Sequence, residues 1–307
     1  MFEIKLFGPG QLYYSGKALT GFPGQQPCLL FCYLLLNRHL PHPREQLAAV
    51  FWGDDSSSLA RKHLRNTLWR LSQLFKSVGA SLDDLISVHE DYIVFVNAEL
   101  CLLDIDEFEV ALRCSQEISS QELNTEQVSL LEKAADLYRG DLLEGVYEDW
   151  CLYERERLRL GFLNILIKLM DYHGHQGNYE RGLEYGHRIL LLDPTRERVH
   201  RQMMMLHWLA GDREAALLQY RSCHDTLQAE LDLKPVQETQ HLYETILRSS
   251  FLPAKQAPDH LQNSEVNTNQ TITEMLQKLH FLKMIVEQTN TELRLLEGMI
   301  QKGLTIK

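Results

Sequence analysis

SSSLARKHLRNTLWRLSQLFKS, residues 56–77, is the stretch on which the reading of the whole chain turns. At 100° per residue, Ala60, Leu64, Leu68, Leu71 and Phe75 fall on one face of a helix from about Leu59 to Lys76. Lys62, Arg65, Asn66, Trp69 and Gln73 lie opposite, with Arg61 and Arg70 on the flanks. Between Ser56 and Ser81 there are five Lys/Arg and no carboxylate. A solvated helix face ordinarily mixes both signs at three- and four-residue spacing. A single-signed face reads instead as a surface for a polyanion. Trp69 points the same way, because a large aromatic on a polar face usually touches something. The plain alternative is a solvated surface that faces no partner.

Upstream of this helix, FEIKLFG (2–8), QLYY (11–14) and Lys17 to Thr20 read as short strands broken by Pro9-Gly10 and Ser15-Gly16. Gln25 to Asn37 is helical in pattern, with Leu29, Leu30, Tyr33, Leu34 and Leu36 at three- and four-residue spacings. Pro41 and Pro43 stop it, and Arg44 to Phe51 forms the next helix. Gly53-Asp54-Asp55 ends that helix, and Ser56 to Ser58 offers a cap for the decisive one. Downstream, Leu85 to Val88 and Tyr92 to Val96 flank His89-Glu90-Asp91 as a hairpin. Three strands, three helices and a terminal hairpin within a hundred residues describe a winged helix-turn-helix. Its third helix has the width and polarity to enter a major groove.

The chain has 307 residues and a formal charge of −11, which taken alone argues against nucleic acid. Residues 1–100, however, hold nine basic and nine acidic side chains, so the whole excess of acid lies beyond them. A local basic stripe on a neutral module, tied to an acidic remainder, fits a polyanion binder with a separate partner domain. No apolar run approaches the roughly 20 residues of a membrane span, and no basic segment precedes an apolar one at the N-terminus. Six scattered cysteines without a CxxC pattern read as reduced thiols, so a cytoplasmic location is expected.

Residues 104–250 read as helical throughout. GNYERGL (177–183) and GDREAAL (211–217) align at a spacing of 34, each with Gly in a turn and a small residue five positions later. That is the tetratricopeptide period. Val128 to Tyr138 and Asp149 to Tyr172 extend the stack, and such solenoids bind partners in a groove. Pro253 to Thr271 is a polar linker. Beyond it Ile272, Leu279, Val286, Leu293 and Ile300 recur every seven residues, with Met275, Leu282, Thr289 and Leu296 three further on. Self-association as a coiled coil is the preferred reading. The alternative is one amphipathic helix folding back on the repeats, which Leu276, Ile285 and Met299 favour by widening the stripe.

Phosphate-binding, dinucleotide, zincin and esterase motifs are all missing from the sequence. His173 and His175 flank a single glycine but have no further ligands at metal spacing. Neither an enzyme nor a cofactor nor a metal is expected.

ARKHLRNTLWRL (60–71), preceded by REQLAAVFWGDD (44–55), resembles the winged helix of bacterial transcriptional activators of the actinobacterial antibiotic regulatory protein type. LYRGDLLEG (137–145), Trp150 with ERERL (154–158), DPTRERVHRQMMMLHWLAGDREAALLQY (193–220) and ELDLKPVQETQHLYETIL (230–247) resemble the helical activator domain that follows in that family. The resemblance covers about residues 2–250. It implies a regulator that binds direct-repeat promoter sites in double-stranded DNA and helps recruit RNA polymerase. It also implies that Arg61, Lys62, Arg65, Asn66 and Arg70 meet DNA, and that Arg44 makes a phosphate contact. The chain departs from the family at Ser72 and Gln73, usually basic, and at the acidic hairpin tip Glu90-Asp91.

The expected fold is therefore mainly α: a winged helix-turn-helix (1–100), a tetratricopeptide-like activator domain (101–252), a linker (253–271) and an amphipathic or coiled-coil helix (272–303). Lys62, Arg65, Asn66 and Trp69 are expected nearest base edges, with Arg44, Arg61 and Arg70 toward phosphates. Homo-oligomerisation is expected through Ile272, Leu279, Leu282, Val286, Leu293, Leu296 and Ile300. The competing reading is an interaction scaffold whose degenerate winged helix no longer binds DNA.

Overall fold

The computed structural model describes residues 1–248. The linker and the heptad helix, with all seven self-association residues, lie outside the described residues.

The chain opens with β1 (Phe2–Lys5), β2 (Gln11–Tyr14) and β3 (Lys17–Ala18), then α1 (Gln26–Leu36), β4 (His42–Pro43), α2 (Arg44–Trp52) and α3 (Ser57–Ser77). The hairpin follows as β5 (Ile86–Val88) and β6 (Tyr92–Phe95), and then β7 (Cys101–Leu103). One sheet has the order β3-β2-β1-β7, with β7 parallel to β1 and Ile4 opposite Leu103. The other, β4-β6-β5, is the wing. Alternation in β1 buries Phe2 and Ile4, and α3 packs Phe75 against both Phe31 of α1 (ring centroids 5.1 Å) and Phe2 (5.6 Å). Such aromatic pairs add about 0.5–1.5 kcal/mol beyond the area they bury.

Three details depart from expectation. The sheet runs past residue 100, because Cys101–Leu103 pairs with the first strand of the chain. Pro43, just ahead of its helix, also serves as a strand residue that the sequence did not announce, pairing with Tyr92 of the wing. Ser56 caps α3 by position only, without a side-chain bond.

The helical part comprises α4 (Asp104–Glu117), α5 (Thr125–Leu137), α6 (Asp149–His175), α7 (Tyr179–Leu192), α8 (Glu197–Leu209), α9 (Arg213–Leu231) and α10 (Gln237–Arg248). It is not helical throughout: residues 138–148 form a loop fastened to the N-terminal sheet. The 34-residue repeat is α6–α7 followed by α8–α9. Gly177 and Gly211 turn the chain between helices at φ of 76° and 85°, which glycine adopts without a steric penalty. Five residues on, Gly182 lets α7 approach closely: a Cβ there would meet Leu206 at 3.0 Å and the Met170 carbonyl at 3.3 Å. Its counterpart Ala216 is fully buried.

A single buried core runs from Phe2 in the sheet to Leu206 in α8. Phe7 joins the halves through Phe108 (5.1 Å) and Tyr138 (4.8 Å), and Tyr138 stacks on Phe162 at 4.0 Å. A smaller core of Met204, Met205, Ala216, Leu242 and Ile246 holds α8, α9 and α10 together.

Candidate nucleic-acid interface

Helix α3 is 21 residues long, about 31 Å at 1.5 Å per residue. It buries Ala60, Leu64, Leu68, Leu71 and Phe75, the expected apolar face, together with Thr67. Arg61, Lys62, Arg65, Asn66, Trp69, Arg70 and Gln73 are all exposed, Trp69 to 65%. The acidic helical domain leaves this flank open. Among the described residues, the side chains of Lys62, Arg65 and Arg70 have no ion-pair or hydrogen-bond partner. Bare, unpaired cations on one helix face are available to an external polyanion at no internal cost.

Two members of the expected set have partners. Arg61 donates to the Ser57 carbonyl (3.2 Å) and faces Glu45 of α2 at 3.6 Å, both side chains being largely exposed. Such a pair contributes little and gives way easily. Arg44 is half-buried, and its guanidinium donates to the His89 carbonyl at the wing turn (3.2 Å). Its backbone N–H donates to the Asp91 carbonyl (2.9 Å). Arg44 thus fastens the wing to the start of α2, a role that a reading of its charge alone misses. The wing tip carries His89, Glu90 and Asp91 exposed to solvent. His63, also on α3, stacks on Trp52 and lies 3.7 Å from Asp55.

The remaining chemistry-bearing residues are structural. Burial pushes the thiols of Cys28 and Cys101 up to about 11 and that of Cys223 to about 12, far from thiolate character at neutral pH. His173 faces Glu132 (3.3 Å), which also accepts from Arg181 (2.9 Å), while His175 contacts Gln121 and the Asp171 carbonyl. The two histidines therefore have separate partners. Among the described residues no group of three or more metal-ligating side chains forms, and no helix is long and apolar enough to cross a membrane.

A winged helix fused through a common core to a helical repeat array is the architecture of a transcriptional regulator. Residues 103–247 match the family described as the bacterial transcriptional activator domain. The chain is thus similar to bacterial transcriptional activators of the actinobacterial antibiotic regulatory protein type. It is 24% identical over 250 residues to the transcriptional regulatory protein MoaR1 of Mycobacterium bovis, covering 80% of this chain and 79% of that one. It is 26% identical over 247 residues to the regulatory protein AfsR of Streptomyces coelicolor, but spans only 24% of that longer protein. The fold resembles that of Mycobacterium tuberculosis EmbR, solved with a low-affinity phosphopeptide. The TM-score is 0.60 at 19% identity, over 80% of this chain and 65% of EmbR.

Proposed function

We propose that this regulator binds double-stranded DNA with α3 in the major groove. In this reading Lys62, Arg65, Asn66 and Trp69 face base edges, Arg61 and Arg70 lie toward phosphates, and Arg44, expected there from its charge, holds the wing instead. The observation that carries the reading is the unpaired, exposed set Lys62, Arg65 and Arg70 on a helix whose opposite face is wholly buried. The repeats supply a surface for a protein partner, RNA polymerase being the one implied by the family, and the chain works in the cytoplasm. Residues 272–303 pair two copies, so that two modest DNA modules on a direct repeat act as one tighter binder.

The test is gel retardation of duplex DNA by the full chain at low salt. The Arg65→Ala/Arg70→Ala pair is expected to weaken retardation and flatten its dependence on salt. Unchanged retardation refutes the assignment. The full chain is the right reagent because β7 lies beyond residue 100. A second reading, a protein-interaction scaffold without DNA binding, is favoured by one observation: the exposed wing tip carries Glu90 and Asp91, which phosphates repel. Failure of the wild-type chain to retard any duplex at low salt selects it.

A further inference from the structure

On the seam between the two halves lies an open cavity of about 690 Å³. Gly24, Leu29 of α1 and Val50 of α2 line it from the winged helix, and Gly145 to Trp150 line it from the repeat side. Its volume falls within the roughly 300–1,000 Å³ of small-molecule sites, which favour such seams.

The walls are built rather than draped. The Arg155 guanidinium donates to the carbonyls of Leu142 (2.9 Å), Leu143 (2.8 Å) and Val146 (2.8 Å), fixing the loop that forms one side. The same loop is tied to the sheet by Leu143 N–H to Leu6 (2.8 Å) and Glu144 N–H to Gly8 (2.8 Å). Trp150 is wedged edge-on against Tyr33 at 5.5 Å, and its indole nitrogen is buried without an acceptor. Packing against the core and its aromatic neighbours, without a hydrogen bond from the indole, therefore holds that ring at the cavity.

The lining has a definite chemistry. Leu29, Val50 and Val146 are apolar, Tyr147 and Trp150 are aromatic, and Tyr147 is 79% exposed. Glu148 and Asp149 are the charged members, and neither has an ion-pair partner among the described residues. No Lys or Arg lines the cavity.

We propose that this cavity binds a small organic cation, an amine carried on an apolar or aromatic body. The apolar residues take up the body, the two carboxylates hold the ammonium, and the aromatic faces add cation–π attraction. Anions are repelled by the same carboxylates. The occupant would bridge the repeat side and α2, the helix on which α3 packs. The binding claim itself does not depend on the DNA reading.

Isothermal titration of the full chain, without DNA, tests it with four probes: 2-phenylethylamine, 2-phenylethanol, 3-phenylpropanoate and Nα-acetyl-lysinamide. Saturable binding of the aromatic amine is expected, with the alcohol about tenfold weaker or more and no binding of the carboxylate. Glu148→Gln/Asp149→Asn, two surface changes that leave the core intact, should weaken the amine to the level of the alcohol. Val50→Trp, which narrows the cavity on its α2 side, should weaken binding. No saturable binding of the amine, or equal binding of amine and carboxylate, overturns the proposal. Indifference to the double substitution does so as well. If Nα-acetyl-lysinamide binds as tightly as the aromatic amine, the ammonium alone is recognised, and the part of the proposal that gives the ligand an apolar or aromatic body is overturned.

Discussion

The carboxylate of Asp104, at the first position of α4, accepts the backbone N–H of Leu6 at 2.9 Å, 98 residues away. It also accepts from Phe7 (3.0 Å) and from Ile105 (2.9 Å). One side chain thereby satisfies donors just beyond β1 and the first turn of the repeat domain. Phe7 continues the same junction into the core through Phe108 and Tyr138. The two halves accordingly form one body, and α3 is held at a defined orientation to the repeats.

Asp104→Ala should therefore cost about 1–3 kcal/mol, the penalty of stranding shielded backbone donors. Urea unfolding measures it. The wild type is expected to unfold in a single transition, and the variant at a lower midpoint. A midpoint within error of wild type would show that the junction rests on apolar contacts alone.

Arg44 and Arg70 separate two roles that charge alone leaves merged. Arg44 donates to the wing carbonyl of His89, whereas Arg70 has no partner among the described residues. Arg44→Ala should lower stability by about 1 kcal/mol and leave the salt slope of DNA binding unchanged. Arg70→Ala should leave stability unchanged and lower the slope by about one unit, the loss of one phosphate contact. Thermal melts and retardation across a salt series give both numbers. A reduced slope in Arg44→Ala would restore that residue to the phosphates.

Local patterns carried most of this architecture. The period of α3 marked its buried and exposed faces almost residue for residue, and the 34-residue glycine spacing located both inter-helix turns. What stayed hidden is non-local. Cys101–Leu103 is too short to read as a strand until it finds β1. Asp104 looks like an ordinary acid in a first turn. The partners of Arg44 lie 45 residues away across the wing. The cavity was equally invisible, because its two walls come from segments about a hundred residues apart. Thr67 escaped the wheel because a polar residue gave no sign of its burial.

Residues 253–307 lie largely outside the resemblance to the family and carry the seven-residue repeat of Ile272, Leu279, Val286, Leu293 and Ile300. A chain ending at Leu252 should sediment as a monomer where the full chain sediments as an oligomer. It should also bind a direct-repeat site about 10²–10⁴-fold less tightly, the loss expected when two linked modules become independent. The same mass-corrected sedimentation coefficient for both chains would dismiss pairing through this helix.

Acid should loosen the helical domain, and the sign follows from three histidines. Burial lowers the pKa of His173, His200 and His207 below the ordinary imidazole value, with Glu132, Pro194 and Asp212 respectively opposing it. Folding therefore favours their neutral form. The stability they contribute is full above the unfolded value near 6.5, and is lost as pH falls through their lower folded values. His200 has the clearest reason to resist a second proton. Its Nε2 donates to the Pro194 carbonyl (2.9 Å), while Nδ1 faces the Gln219 amide nitrogen at 2.7 Å and accepts from it. Protonation at Nδ1 would require the Gln219 amide to turn its oxygen toward the ring. The melting temperature should fall between about pH 7 and pH 5, and His200→Gln should melt lower at pH 7 yet lose part of that dependence. Burial raises Asp104, Asp106 and Asp171, which act in the opposite direction. They are common to both proteins, so the difference between the two melting profiles isolates the imidazole. Parallel profiles would mean that His200 takes up its proton without cost to the fold.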